Sequence, residues 1–123
     1  ALDVLARRHG VHVGAAVTRR VTGIAEAAAV MARLRADPPT RLAGFFVTVT
    51  DLVQRHDNWH TDALIFVGGD TDTLVRVVVR PSGTEPKLKC YIEVRCAVVG
   101  DLGPARTQAT RLRDEVVEQV GGW

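Results

Sequence analysis

Residues Val77–Val94 read VVVRPSGTEPKLKCYIEV and carry the strongest structural pattern in the sequence. Valines lead into it, and alternating apolar and polar residues lead out of it, which is the period-two pattern of β-strands. The segment between them, Arg80–Lys87, is rich in the Pro, Gly, Ser and Thr residues that favour turns. The stretch therefore predicts two antiparallel strands joined by a turn that carries an arginine and two hydroxyl groups.

The same alternation predicts which side of each strand is buried. Before the turn, Val75, Val77 and Val79 share one face. After the turn, the residues expected to point inward are Leu88, Cys90, Ile92, Val94 and Cys96. The residues that alternate with this second set are Lys89, Tyr91, Glu93 and Arg95. The sheet is therefore predicted to be covered on one face and open to solvent on the other.

Two helices flank the predicted strands. A helix is predicted over about residues 23–36, before Pro38-Pro39. Its predicted apolar stripe is Ile24, Ala27, Ala28, Met31 and Leu34. A second helix is predicted to begin at Pro104 and to end at Gly121-Gly122. Its predicted stripe is Ala105, Ala109, Leu112, Val116 and Val120.

Two more strands are predicted, over about residues 43–50 and in ALIFVG at 63–68. The predicted fold is therefore α+β, an antiparallel four-stranded sheet with two helices on one face. Residues 1–22 are predicted to be the end of a preceding domain and an extended linker arm. Residues 23–123 are predicted to be the domain itself.

Composition excludes several classes of protein. A net charge of +2 gives no basis for a nucleic-acid or membrane surface. No apolar run is long enough to span a membrane, and the first residues do not form a signal peptide, so we expect a cytoplasmic protein. Cys90 and Cys96 lie on one predicted strand, about 20 Å apart, which is too far for a disulfide. We therefore expect two reduced, buried thiols.

The turn has the composition of an anion site. Arg80 supplies a planar fork that matches phosphate oxygens, and Ser82 and Thr84 supply hydroxyl groups. Gly83 is expected to adopt a positive φ, so that successive N–H groups point into one concavity. These features favour binding of a phosphate or a carboxylate. The alternative is a solvated hairpin turn without a ligand, because the same residue types are common in turns.

Charged neighbours modify this prediction. Lys87 and Lys89 add positive potential beside the turn. Glu85 repels an anion unless it turns away, pairs with a lysine or holds the loop in shape. His56 and His60 flank Trp59 in a predicted loop, where a metal or stacking role is the alternative to a solvent-exposed cluster. Asp70 and Asp72, in a predicted hairpin, lack the pattern of a metal site. We interpret both as surface loops, and His9 and His12 as surface residues.

The string RPSGTEPKLKCYIE, which begins at Arg80, resembles the C-terminal phosphate-binding motif of the α-D-phosphohexomutases, the phosphoglucomutase and phosphomannomutase superfamily. The resemblance extends over about residues 23–123. It implies a TATA-binding-protein-like fold, which agrees with the layers predicted from the residues alone.

The resemblance also implies a mechanism. Such enzymes move a phosphoryl group between the 1- and 6-positions of a hexose through a hexose 1,6-bisphosphate, using a phosphoserine and Mg²⁺. The C-terminal loop holds the phosphate that is not transferred. Residues that match this grip are Arg80, Ser82, Gly83 and Thr84, with Lys87 as a weaker candidate.

Other parts of the family's machinery are missing from this sequence. It has no phosphoserine segment, no Asp-Gly-Asp-Gly-Asp metal loop and no sugar-recognition loop. We therefore expect no catalysis by this chain alone and no cofactor in it, with Mg²⁺ and the remaining mutase domains supplied by a full-length enzyme. Expected ligands are a hexose phosphate and its bisphosphate, and neither nucleic acid nor membrane is an expected partner. The alternative is a non-catalytic interaction or regulatory module that retains the fold.

Overall fold

The computed structural model describes residues 10–54 and 62–123. In chain order its elements are β1 (Val11–Arg20), α1 (Ile24–Ala36), β2 (Arg41–Leu42), β3 (Phe45–Asp51), a 3-10 turn (Leu52–Gln54), β4 (Leu64–Gly69), β5 (Thr73–Pro81), β6 (Lys87–Cys96) and α2 (Leu102–Gly121). The prediction of an α+β chain with two helices and an antiparallel sheet is confirmed.

The sheet has six strands in the order β1-β6-β5-β4-β3-β2, and every neighbouring pair is antiparallel. The prediction of four strands was therefore wrong. The predicted strands correspond to β3, β4, β5 and β6, whereas β1 and β2 were not counted. β2 has only two residues, which is too short for any alternation to be visible.

β1 was predicted only as an extended arm. It pairs with β6 along its whole length, from Val11 opposite Cys96 to Arg20 opposite Lys87. Its inward residues include Val13 and Val17, which pack against the core. Small and polar residues dominate the rest of the strand, which hides the alternation from a reading of sequence alone. The domain boundary at residue 22 stays a prediction.

The core lies between the helices and one face of the sheet, which we call the inner face. Val75, Val77 and Val79 have no exposed surface, as predicted for β5. The five inward positions predicted for β6 are also buried: Leu88, Cys90, Ile92, Val94 and Cys96. Full burial of one such apolar side chain is worth roughly 1.5–3 kcal/mol, so this face supplies much of the free energy of folding.

Each helix buries one stripe against the inner face. In α2 all the predicted stripe residues are buried, although the helix begins at Leu102, before Pro104, because the first turn tolerates a proline. In α1 the buried residues are Ala27, Val30, Met31 and Leu34. Ile24 and Ala28, which were predicted on that stripe, are exposed. Val30 takes their place because the buried set follows spacings of three and four residues from Ala27.

The β4–β5 connection is the tight hairpin that the sequence predicted. Asp70 accepts hydrogen bonds through Oδ1 from the N–H groups of Asp72 and Thr73, both at 2.9 Å. Gly69 has a φ of 140°, and a Cβ added there would lie 1.9 Å from the Thr73 carbonyl oxygen. This carboxylate therefore organises the turn, and only glycine fits beside it.

The opposite face of the sheet, the outer face, has no helix packed on it among the described elements. Tyr91 is 42% exposed on β6, and Phe46 is 69% exposed on β3. No described helix is long and apolar enough to cross a membrane. Cys90 and Cys96 are buried free thiols, as predicted, and burial raises the pKa of Cys90 to about 11.

Candidate functional site

The candidate site is the hairpin that joins β5 to β6. β5 ends at Pro81 and β6 begins at Lys87, so the fold presents the connecting residues at one end of the sheet. Arg80 lies opposite Lys89 in the register and is exposed on the outer face. Its guanidinium carbon lies 5.9 Å from the centroid of the Tyr91 ring, within the range of a cation–π contact.

Three hydrogen bonds close the loop on itself. The Ser82 N–H donates to the Lys87 carbonyl at 2.9 Å, and the Lys87 N–H donates to the Glu85 carbonyl at 2.8 Å. The Glu85 N–H donates to the Ser82 hydroxyl oxygen at 3.3 Å. The loop therefore has a defined shape without a ligand, which lowers the ordering cost of binding one.

Glu85 and Lys87 form an ion pair inside the loop. Lys87 Nζ lies 3.1 Å from Glu85 Oε2. The hydrogen bond and the charge of Lys87 lower the pKa of the Glu85 carboxyl group, and the charges of Arg20 and Lys89 lower it further. Of the alternatives that the sequence left open for Glu85, the structure has two: it pairs with a lysine, and its backbone holds the loop.

Gly83 does not adopt the positive φ that we predicted. Among the described residues, the glycines with positive φ are Gly10, Gly44, Gly69 and Gly100. A Cβ added at Gly83 would meet nothing within 4 Å. The absence of a side chain at Gly83 therefore leaves open space above the backbone, and the fold does not require glycine there.

Several donors of the loop are not used by the protein. Within residues 10–54 and 62–123, the N–H groups of Gly83 and Thr84 and the hydroxyl group of Thr84 have no hydrogen-bond partner. The Ser82 hydroxyl accepts one bond and donates none. Gly83 and Thr84 are exposed, and Ser82 is half-buried. Together with Arg80, these groups can donate to the oxygens of an anion.

The end of β1 is the second support of the loop. The Val21 N–H donates to the Pro86 carbonyl at 2.9 Å, and Arg20 lies opposite Lys87 in the register. Arg20, Lys89 and Arg80 thus add positive charge around the loop from three adjacent strands. Sequence analysis named Arg80 and Lys89 but missed Arg20, because only the pairing of β1 with β6 brings it close.

Tyr91 was predicted on the open face but not as a neighbour of Arg80. The signal was available in the alternation, since the two residues occupy diagonal positions on one face of paired strands. The other candidates lie elsewhere. His12 is exposed on β1, with Nδ1 3.5 Å from a carboxylate oxygen of Glu93. His56, Trp59, His60 and His9 lie outside the described residues.

No group of three metal-ligating side chains occurs in the part of the chain that the structure describes. Asp70 accepts hydrogen bonds from the backbone of its own hairpin. The described residues therefore do not fit a magnesium site.

Comparison with known proteins identifies a family for most of the chain. Residues 15–98 match the family described as "Phosphoglucomutase/phosphomannomutase, C-terminal domain". A "Probable phosphomannomutase" of Haemophilus influenzae is 32% identical over 94 residues, which cover 76% of this chain and 18% of that protein. A "Phosphoglucomutase" of Staphylococcus aureus strain USA300 is 28% identical over 83 residues, covering 60% of this chain and 15% of that protein.

The chain thus spans less than a fifth of the length of these two curated relatives. The family match covers more than half of the chain and contains the whole loop with both of its strands. The chain belongs to the C-terminal domain family of the phosphoglucomutases and phosphomannomutases.

Proposed function

We propose that the loop from Arg80 to Lys87 holds the phosphate of a hexose phosphate that is not being transferred while a phosphohexomutase moves a phosphoryl group between the 1- and 6-positions. The residues that we assign to phosphate contact are Arg80, Ser82, Gly83 and Thr84. Lys87 lies at the same site, where it pairs with Glu85.

The observation that carries this proposal is the set of unused donors beside an exposed arginine. A phosphate monoester offers several strong acceptors in a small volume, and it is bound best where donors converge in a preformed site. Arg80 contributes a charged fork, and Gly83 and Thr84 contribute N–H groups with no partner among the described residues. The open space above Gly83 allows a ligand to approach the backbone closely.

The proposal assigns the rest of the reaction to other domains. A phosphoserine that donates the phosphoryl group, the Mg²⁺ that assists the transfer and the contacts that recognise the sugar would belong to the remaining domains of a cytoplasmic enzyme. The isolated chain would bind a hexose phosphate or its 1,6-bisphosphate without catalysing the reaction. The TATA-binding-protein-like fold of such a domain is supported by the antiparallel sheet and its two helices.

The affinity of the isolated chain should be low. A charge-assisted hydrogen bond contributes roughly 1.5–3 kcal/mol, and one loop supplies only part of the contacts to a bisphosphorylated sugar. We therefore expect binding in the millimolar range, where chemical-shift titrations remain quantitative.

The test is an amide NMR titration of the chain with glucose 1-phosphate, and then with free glucose. We expect shifts that saturate, are centred on residues 80–87 and occur only with the phosphorylated sugar. Inorganic phosphate should compete for the same site. Shifts spread over other surfaces, or equal shifts with free glucose, would contradict the proposal.

A second candidate function is a non-catalytic interaction module. It is favoured by the exposed apolar residues of the outer face, including Phe46 and Tyr91. A protein partner that binds this face and is indifferent to Arg80 would support it. In the phosphate-binding proposal, by contrast, every ligand effect depends on Arg80.

A further inference from the structure

We propose that Glu85 is a positioning residue that sets the strength of phosphate binding, because it holds the Lys87 ammonium as its own counter-ion and so keeps Lys87 from contacting the phosphate. This inference rests on the proposed function of the loop. In this inference Lys87 neutralises the charge of Glu85. The phosphate is contacted by Arg80 and by the neutral N–H and hydroxyl donors of the loop.

The two side chains are placed for each other by their backbones. The Lys87 N–H donates to the Glu85 carbonyl at 2.8 Å, and the Glu85 N–H donates to the Ser82 hydroxyl. The side chains therefore leave a fixed stretch of backbone and meet at 3.1 Å between Nζ and Oε2. Because the Lys87 side chain is already largely covered, the pair forms with less loss of side-chain freedom than an ordinary surface pair.

Exposure distinguishes the two partners. The Lys87 side chain is only 18% exposed, whereas the Glu85 side chain is 56% exposed. The lysine is thus largely covered at the first position of β6, and its ammonium group is paired with the more exposed carboxylate. An anion that approached the ammonium would compete with that carboxylate.

Charge provides the functional reason. The charges that act on Glu85 from β1 and β6 are cations: Arg20, Lys87 and Lys89. With all of them free, a bisphosphorylated sugar would be held tightly and released slowly. A carboxylate inside the loop cancels one positive charge and makes the site easier to leave, which suits an intermediate that must turn round and bind again by its other phosphate.

A double-mutant cycle tests this assignment. The dissociation constants of inorganic phosphate and of glucose 1-phosphate are measured by amide NMR for the 123-residue chain, for Glu85→Gln, for Lys87→Gln and for the double variant. Glutamine preserves the size of Glu85 and all of its backbone bonds. Glu118→Gln, on the exposed side of α2, is the matched control for a change in net charge and should leave both constants unchanged.

The inference predicts three results. Glu85→Gln should strengthen binding about threefold, and Lys87→Gln should weaken it about threefold because the carboxylate is left uncompensated. The double variant should return to within about twofold of the wild-type constant, since both charges of the pair are gone. If the double variant binds as weakly as Lys87→Gln, the lysine contacts phosphate directly and the inference is wrong.

A measurement without ligand checks the pair itself. The Glu85 carboxyl group should titrate below its usual range in the wild-type chain, and its pKa should rise in Lys87→Gln. An ordinary pKa in the wild type that Lys87→Gln leaves unchanged would overturn the inference. A different result would contradict the proposed function, namely phosphate binding that Arg80→Ala leaves unchanged. A wild-type chain that binds no phosphate would overturn both.

Discussion

The two faces of the β5–β6 hairpin differ in their environment: one packs in the core and the other is exposed beside the loop. On the inner face, Val77, Val79 and Ile92 are buried among apolar neighbours. On the outer face, the alternate residues of β6 are charged or aromatic, and those of β5 include Arg76 and Arg80, with Arg80 exposed beside Tyr91. Adjacent residues in the chain therefore belong to opposite environments.

Because successive residues of a strand point to opposite faces, substitutions that affect stability should be separable from those that affect binding. A substitution on the inner face should change the free energy of unfolding, and one on the outer face near the loop should change ligand binding.

The largest effect is expected from a charge on the inner face. Val79→Asp should cost more than about 4 kcal/mol, because it buries an unpaired carboxylate in the core. Ile92→Asp should behave alike. Urea unfolding followed by circular dichroism measures the loss. The control is Val78→Asp, one position along on the outer face, which should cost far less, and equal losses at both positions would mean that the facing of β5 is wrong.

The next effect concerns the buried thiol of Cys90. Burial raises its pKa from 9.0 to about 11, so the unfolded chain loses the proton before the folded protein does. Stability from this group is complete below pH 9 and falls as the pH rises toward 11, by up to about 2–3 kcal/mol. Free energies of unfolding between pH 8 and pH 10 should fall more steeply for the wild type than for Cys90→Ala. Parallel curves would contradict the prediction.

Arg80→Ala should abolish most phosphate binding, at least about tenfold, while changing stability by less than about 0.5 kcal/mol. The matched control is Arg76→Ala, on the same strand and the same face but further from the loop. The control should bind phosphate like the wild type. If Arg80→Ala unfolds the chain, or if both variants lose binding equally, the assignment of Arg80 fails.

The smallest effect is expected at Gly83. Gly83→Ala should leave stability within about 0.5 kcal/mol, since its φ is not in the left-handed region and its added methyl group meets open space. Phosphate binding should weaken about two- to fivefold, because the methyl group hinders approach to the loop backbone. Gly69→Ala, which lacks that space, should instead destabilise the fold. Unfolding curves and phosphate titrations on both variants measure the contrast.

The sequence predicted the inner face well because its alternation is strong. Burial of one face imposes apolar residues at every second position of β5 and β6, and that pattern survives in the sequence. β1 was not predicted as a strand of the sheet because Ala15 and Ala16 are neighbours in the chain, so small residues occupy both faces of the strand. β2 has too few residues to leave a pattern.

The loop was predicted in its residues but not in its geometry. A motif indicates which side chains are present, and the conformation of Gly83 depends on how the hairpin closes. The sequence did not distinguish which lysine pairs with Glu85, since Lys87 and Lys89 are both near it in the chain. The contribution of Arg20 follows from strand pairing over a separation of more than sixty residues, which single-sequence patterns do not contain.

The hydrogen bond from the Val21 N–H to the Pro86 carbonyl allows opening of the loop to be measured at one amide. It fastens the loop to a strand that lies far from it in the chain, so a single amide proton records whether the loop is closed. Its exchange with deuterium should slow when a ligand tightens the loop and quicken when the loop opens. The opening rate of the loop can thus be followed at a residue outside the assigned phosphate contacts.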